Sequence, residues 1–121
     1  MHALKTAVIA LILAAPLAAL AQSNATPGFD QRQVNQEQRI QQGVQSGALT
    51  PREAARLERG QQNLQAKENR AKADGVVTRQ ERVRLQHAED VQSRRIYAEK
   101  HDRQHDYNHD GKVDRPARVR P

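Results

Sequence analysis

Apolar residues recur at alternating intervals of three and four along two long, otherwise polar stretches of the chain. This spacing is typical of amphipathic helices that bury one narrow face. The positions on the two predicted faces are Ala54, Leu57, Gln61, Leu64, Glu68 and Ala71, followed by Leu85, Ala88, Val91 or Gln92, and Arg95 or Ile96. Together with the turn signals between them, the pattern predicts helices over about 30–45, 51–72 and 79–104.

A turn sequence occurs twice, at a spacing of 28 residues, and separates the predicted helices. Ser46–Leu57 aligns without gaps on Asp74–Leu85, with Gly, Thr, Glu, Arg and Leu at identical positions. Gly47 and Gly75 suit the positive-φ position that commonly ends a helix. Because such short turns favour antiparallel neighbours, we predict an all-α fold of two to three antiparallel helices. This would be a helical hairpin or small bundle with flexible ends.

Each copy also carries the signature of a helix start. Thr50 and Glu53, like Thr78 and Glu81, have the spacing of a capping box, in which each side chain accepts the backbone N–H of the other residue. Pro51 stands at the first helical position, where its missing N–H costs nothing. Helices are therefore predicted to begin at 51 and 79.

The first 21 residues have the three parts of a secretory signal peptide. They are a basic start at Lys5, an uncharged apolar run over Thr6–Leu20, and an Ala-Leu-Ala cleavage site ending at Ala21. The run is shorter than the ~20 residues that span a bilayer. We therefore predict a cleavable signal peptide at 1–21, a periplasmic or secreted location and no membrane span after cleavage. The other predicted segments are a flexible lead at 22–29, a helical repeat region at 30–105, and an Asp/Asn/Gly loop with a basic, Pro-containing tail at 106–121.

Composition narrows the function of the part after residue 21. It has 19 Lys and Arg against 14 Asp and Glu, no cysteine, and 15 Val, Leu, Ile and Phe in 100 residues. Without cysteine there is neither a disulfide nor a thiolate nucleophile, and so small a core is expected to leave the carboxylates exposed. We therefore predict that the protein is not an enzyme and acts by binding an unknown envelope protein or an anionic surface, or by self-association. Nucleic acid is not expected as a partner, because Phe29, Tyr97 and Tyr107 offer no stacking platform.

One segment resembles a known metal-binding loop. Asp106–Asp114 reads D-Y-N-H-D-G-K-V-D, which is similar to the first nine positions of the EF-hand calcium loop. The resemblance implies Ca²⁺ ligands, which are oxygens, at Asp106, Asn108, Asp110, the Lys112 carbonyl and Asp114.

The chain also departs from the EF-hand pattern. Ala117 stands at the twelfth position in place of the bidentate glutamate, and Pro116 blocks an ordinary exit helix. The expected binding is therefore weak. Extracellular calcium modules work at about 10⁻⁴–10⁻³ M, a range that suits an exported protein. The two repeated turns are similar to the second half of the EF-hand loop, but they have cations or apolar groups in its first half and are predicted to be helix connectors only.

Three histidines, His101, His105 and His109, recur every four residues, and each precedes an aspartate. On a helix this spacing places imidazoles on one face, as in paired histidine ligands of zinc. Binding of a transition metal ion near 101–109 (Zn²⁺, Cu²⁺ or Ni²⁺) is thus a second alternative to Ca²⁺.

The part after residue 21 as a whole resembles a group of small uncharacterised exported proteins of proteobacteria. These share the patterns S-G-x-L-T-x-x-E, A-D-G-x-x-T-x-x-E and S-R-x-I-Y-x-x-K-H-D. They read here as Ser46–Glu53, Ala73–Glu81 and Ser93–Asp102. The resemblance implies export and a helical repeat, and it brings no established activity.

Overall fold

The computed structural model describes residues 25–115, which form three helices and, within that range, no strand. Helix α1 runs over Pro27–Ser46, α2 over Pro51–Lys72 and α3 over Arg79–Lys100. The prediction of an all-α small bundle is confirmed. The predicted signal peptide at 1–21 and the tail from residue 116 lie outside the described residues. Among the described helices, none is long and apolar enough to cross a membrane.

Each helix packs against the other two. Thr26 meets Glu68, and Gln33 meets Gln61 further along α1, so α1 and α2 are antiparallel. Arg32 meets Asp90 and Arg39 meets Ser93, so α1 and α3 are parallel.

The bundle therefore has two ends. We call one the Gly47 end, where α1 and α3 finish and α2 begins, and the other the Gly75 end, where α1 and α3 begin and α2 finishes.

Both predicted capping boxes are formed, because their hydrogen bonds depend only on residues three apart. Thr50 Oγ1 accepts the Glu53 N–H at 3.3 Å, and Glu53 Oε2 accepts the Thr50 N–H at 2.9 Å. The corresponding distances in the box of Thr78 and Glu81 are 3.2 and 2.8 Å. The predicted helix starts at 51 and 79 are confirmed.

Two helix boundaries differ from the prediction. Helix α1 begins at Pro27, three residues early, because this proline occupies the first turn as Pro51 does in α2, and Phe29 is already buried. Helix α3 ends at Lys100 rather than near residue 104. Beyond it, Asp102 Oδ1 accepts the Gln104 N–H at 2.7 Å. Such a local side-chain turn competes with continued helical hydrogen bonding.

The core consists of two apolar clusters with a polar layer between them. Phe29, Leu64, Ala71, Val77 and Leu85 form one cluster; Ile40, Leu49, Leu57 and Ile96 form the other. In the layer, glutamine side chains donate to main-chain carbonyls of neighbouring helices: Gln36 to Glu89, Gln61 to Gln33, and Gln92 to Leu57. Of the alternatives left open for α3, the buried residues are Gln92 and Ile96.

Candidate cation sites at the Gly47 end

We call residues 101–115, which follow α3, the C-terminal segment. This segment folds back onto the turn between α1 and α2. The Asp106 N–H donates to the Gly47 carbonyl at 2.8 Å. Gly47 has a φ of 76°, and a Cβ at this position would lie 2.5 Å from the Asp106 carbonyl oxygen. Glycine at position 47 therefore satisfies two requirements, the left-handed backbone that ends α1 and the close approach of the segment around Asp106.

The loop predicted to bind Ca²⁺ is wound around the Asp106 carboxylate. Asp106 is 3% exposed, and its Oδ1 and Oδ2 accept the N–H groups of Asp110 and Gly111, each at 3.0 Å. Asn108 Oδ1 also accepts the Asp110 N–H at 3.0 Å, and Asp110 Oδ1 accepts the Lys112 N–H at 2.8 Å. Short polar side chains thus fix the backbone of this loop from within.

A further pair of contacts closes the same loop. Asp114 Oδ2 accepts the Tyr107 N–H at 2.6 Å, and the Asp114 N–H donates to the His105 carbonyl at 2.7 Å. These contacts bring the first and last predicted ligands, Asp106 and Asp114, into one closed loop. Coordination of Ca²⁺ by Asp106, Asn108, Asp110, the Lys112 carbonyl and Asp114 stays a prediction.

The expected helical histidine face is not formed, because α3 ends before the second histidine. His101 follows the last helical residue, and its ring stacks on Tyr97 with centroids 4.0 Å apart. His105 stacks on Tyr107 instead, at 4.7 Å. His109 has a positive φ of 56°. The prediction that His101 and His105 share a helix face is therefore wrong, and the i,i+4 geometry that suggested a transition metal ion is lost.

A second set of acidic side chains lies at the same end of the bundle. Glu53, Glu99 and Asp102 each place one carboxylate oxygen within 4.8 Å of the others. We call this set the acidic cluster. Glu53 belongs to the first turn of α2, Glu99 to the last turn of α3, and Asp102 to the connector that leads to Asp106. Among the described acidic and histidine residues, this is the set of three that converges in this way.

The expectation that carboxylates remain exposed is wrong for three glutamates. Glu53 and Glu68 are 0% exposed and Glu89 is 1% exposed, because all three face the inside of the bundle. A buried carboxylate is unfavourable as an ion unless it is paired or hydrogen-bonded. The surroundings of the three side chains therefore decide their charge.

At the Gly75 end, cations accompany the buried acids. Burial opposes ionisation of Glu68, but Lys72 and the Thr26 hydroxyl outweigh it, so its pKa is lowered. Glu89 Oε2 pairs with Arg32 Nε at 3.1 Å. Burial dominates there and raises the pKa of Glu89 to about 7, although Arg32 opposes this change.

At the Gly47 end, Glu53 is surrounded differently. Burial raises its pKa, and hydrogen bonds from Thr50 oppose the rise. The charge of the neighbouring Asp102 and a hydrogen bond with its carboxyl raise the pKa of Glu53 further. The Oε1 of Glu53, like the Oε1 of Glu89, is buried and receives no N–H or hydroxyl donor from the described residues. The ion pairs among residues 25–115 include Glu68 and Glu89 but not Glu53.

Sequence reasoning missed the acidic cluster because Glu53 lies far along the chain from Glu99 and Asp102. The role of Glu53 in the capping box already explained its presence in the sequence. Nothing in the spacing linked it to Glu99 or Asp102. Glu68 did stand on the predicted buried face of α2, a signal that an acid would be buried.

Comparison with models of known protein families, with curated proteins and with solved structures found no match to this chain.

Proposed function

We propose that this chain is an exported, non-enzymatic helical protein of the cell envelope that acts by binding, and that the loop 106–114 is its calcium-binding element. The observation that carries the calcium part is the winding of the loop around Asp106, whose two carboxylate oxygens each accept a main-chain N–H. The Asp and Asn side chains of this loop also supply the carboxylate and amide oxygens that Ca²⁺ takes as ligands.

The loop is anchored to the turn before α2, so calcium binding by the loop would also affect the structure of the bundle. Because the Asp106 N–H donates to the Gly47 carbonyl, an ion held by this loop also stabilises the contact between the C-terminal segment and the turn before α2. Tyr107 and Val113 stand exposed in the same loop, at 59% and 48%. They are the candidate contacts for an envelope partner.

The test is an NMR titration that detects Ca²⁺ binding at the loop independently of the rest of the molecule. The Gly111 N–H, which donates to Asp106 Oδ2, is the local reporter. We expect its resonance to shift as Ca²⁺ is added to the chain starting at Gln22, with a half-saturation near the ~10⁻⁴–10⁻³ M of extracellular modules.

A matched pair of variants completes this test. Asp110 and Asp74 both precede a positive-φ glycine, and each side chain accepts the N–H two residues on, at 2.8 and 3.0 Å. Asp110→Asn should weaken the Gly111 response at least about tenfold, because affinity follows the charge of the ligands, whereas Asp74→Asn should not change it. A Gly111 resonance indifferent to Ca²⁺, or an equal response in both variants, would overturn the loop as a site.

A further inference from the structure

The Gly47 end holds a second group of oxygen ligands outside the loop 106–114. We propose that Glu53, Glu99 and Asp102 bind a hard divalent cation, with Ca²⁺ as the best fit. This proposal does not depend on calcium binding by the loop, because the two sites share no residue.

The spacing of the cluster suits Ca²⁺. The three carboxylate oxygens lie within 4.8 Å of one another. One Ca²⁺ with bonds of about 2.3–2.6 Å reaches oxygens on opposite sides of its shell that are about 4.6–5.2 Å apart. Mg²⁺ demands near-ideal octahedral geometry and is usually bound through only one or two carboxylates, so three protein carboxylates at one site are more typical of Ca²⁺.

The buried Glu53 carboxylate is the second observation that points to a ligand. Its Oε2 accepts the Thr50 N–H, but its buried Oε1 receives no N–H or hydroxyl donor from the described residues, and its closest polar neighbour in the cluster is the carboxyl of Asp102. The side chain is fully enclosed and faces the two other acids of the cluster. Buried charges in proteins are paired or coordinate metals.

The described cations do not neutralise the cluster. Arg56 Nη2 lies 3.6 Å from Glu99 Oε1, and the side chain of Arg56 is 47% exposed. One half-exposed guanidinium thus accompanies three carboxylates. A divalent cation would balance the charge that remains.

A bound cation would also have a structural effect. It would tie the first turn of α2 to the last turn of α3 and to the connector at Asp102. This connector is followed four residues later by Asp106, which contacts Gly47. The cation would therefore fix the position from which the loop 106–114 approaches the bundle.

The repeat supplies a matched control for the test. Glu53→Gln removes the charge and keeps the capping box, in which glutamine serves as well as glutamate. Glu81→Gln makes the same change in the second capping box, outside the cluster. Asp102→Asn is a second cluster variant with no role in a capping box.

The measurement is an NMR titration of the chain starting at Gln22 with Ca²⁺, together with thermal unfolding in EDTA and in Ca²⁺. The Thr50 N–H, which donates to Glu53 Oε2, reports on the cluster, and the Gly111 N–H reports on the loop. Failure at one reporter with success at the other distinguishes the two sites.

We expect Thr50 to shift with Ca²⁺ in the wild type, and the apparent affinity at this reporter to fall at least about tenfold in Glu53→Gln and Asp102→Asn. Glu81→Gln should behave as the wild type. Ca²⁺ should raise the melting temperature of the wild type and of Glu81→Gln by several degrees more than that of Glu53→Gln.

Two results would overturn the cation site. One is a Thr50 resonance that does not respond to Ca²⁺ in the Asp110→Asn background, where the loop is impaired. The other is a combination of two observations: the melting temperature of the wild type does not change with Ca²⁺, and the melting temperature of Glu53→Gln is higher than that of the wild type both in EDTA and in Ca²⁺. The latter result would assign the cluster to a proton shared between Glu53 and Asp102.

Discussion

At the Gly75 end the buried acids Glu68 and Glu89 lie beside Lys72 and Arg32, whereas at the Gly47 end the buried Glu53 lies beside two further carboxylates. Both ends use the same turn sequence and the same capping box. The glutamate of the first capping box, Glu53, is fully buried, however, while Glu81 in the second box is only partly buried. The same capping box therefore occurs in two different tertiary surroundings.

The difference shows how the C-terminal segment changes one copy of the repeat. The C-terminal segment covers Gly47, where an added Cβ would meet Asp106 and Tyr107. An added Cβ at Gly75 would meet no atom within 4 Å. The C-terminal segment also brings Asp102 next to Glu53. The Gly75 turn ends a helix, whereas the Gly47 turn ends a helix and supports a candidate binding site.

The largest expected effect comes from replacing the two turn glycines. Gly47→Ala places a side chain in the left-handed region, which costs roughly 1–2 kcal/mol, and drives its Cβ against the backbone of the C-terminal segment, which costs about 1–3 kcal/mol more. Gly75→Ala should incur the first cost alone. Chemical denaturation of both variants measures the difference. Equal losses of unfolding free energy would show that the segment does not press on Gly47 in solution.

The second prediction concerns the pH dependence at the Gly75 end. The pKa of Glu89 is about 7 in the folded protein and near its ordinary value of 4.5 when unfolded. Its contribution to the free energy of unfolding is therefore fully present below pH 4.5 and is lost as the pH rises through 7. Stability should fall by up to about 3 kcal/mol across this window because of Glu89.

The matched variant for this prediction is Glu89→Gln, which should remove most of that fall. Denaturation of both proteins at a series of pH values isolates the Glu89 contribution from those of Glu53 and Glu68. An unchanged difference between variant and wild type from pH 4.5 to 8 would contradict the raised pKa.

The smallest effect is expected from the capping threonines. Thr50→Ala should cost about 2 kcal/mol and Thr78→Ala about 1 kcal/mol, the upper and middle of the range for N-caps. The order follows from burial, because Thr50 is 4% exposed and its loss leaves the Glu53 N–H without an acceptor in the interior. Thermal unfolding of the two variants measures the order. A larger loss from Thr78→Ala would mean that the second turn contributes more to folding than its exposure indicates.

Much of the fold could be predicted from the sequence because its signals are local. The two capping boxes, Pro51 and the positive-φ glycines act within a few residues of the chain. The start of α1 at Pro27 was missed although Thr26-Pro27 has the same form as Thr50-Pro51. The end of α3 was missed because the Asx turn at Asp102 competes with a helix that the composition still favours.

The sequence by itself determined the course of the helices, the turns between them, the place of Glu68 on the apolar face of α2 and the motif of the loop 106–114. Only the tertiary structure decided that Glu53 faces Glu99 and Asp102, and that Asp106 rests on Gly47. The physical reason is distance along the chain. Capping and helical periodicity depend on residues three or four apart, whereas the acidic cluster joins groups about 50 residues apart that meet only when the three helices pack.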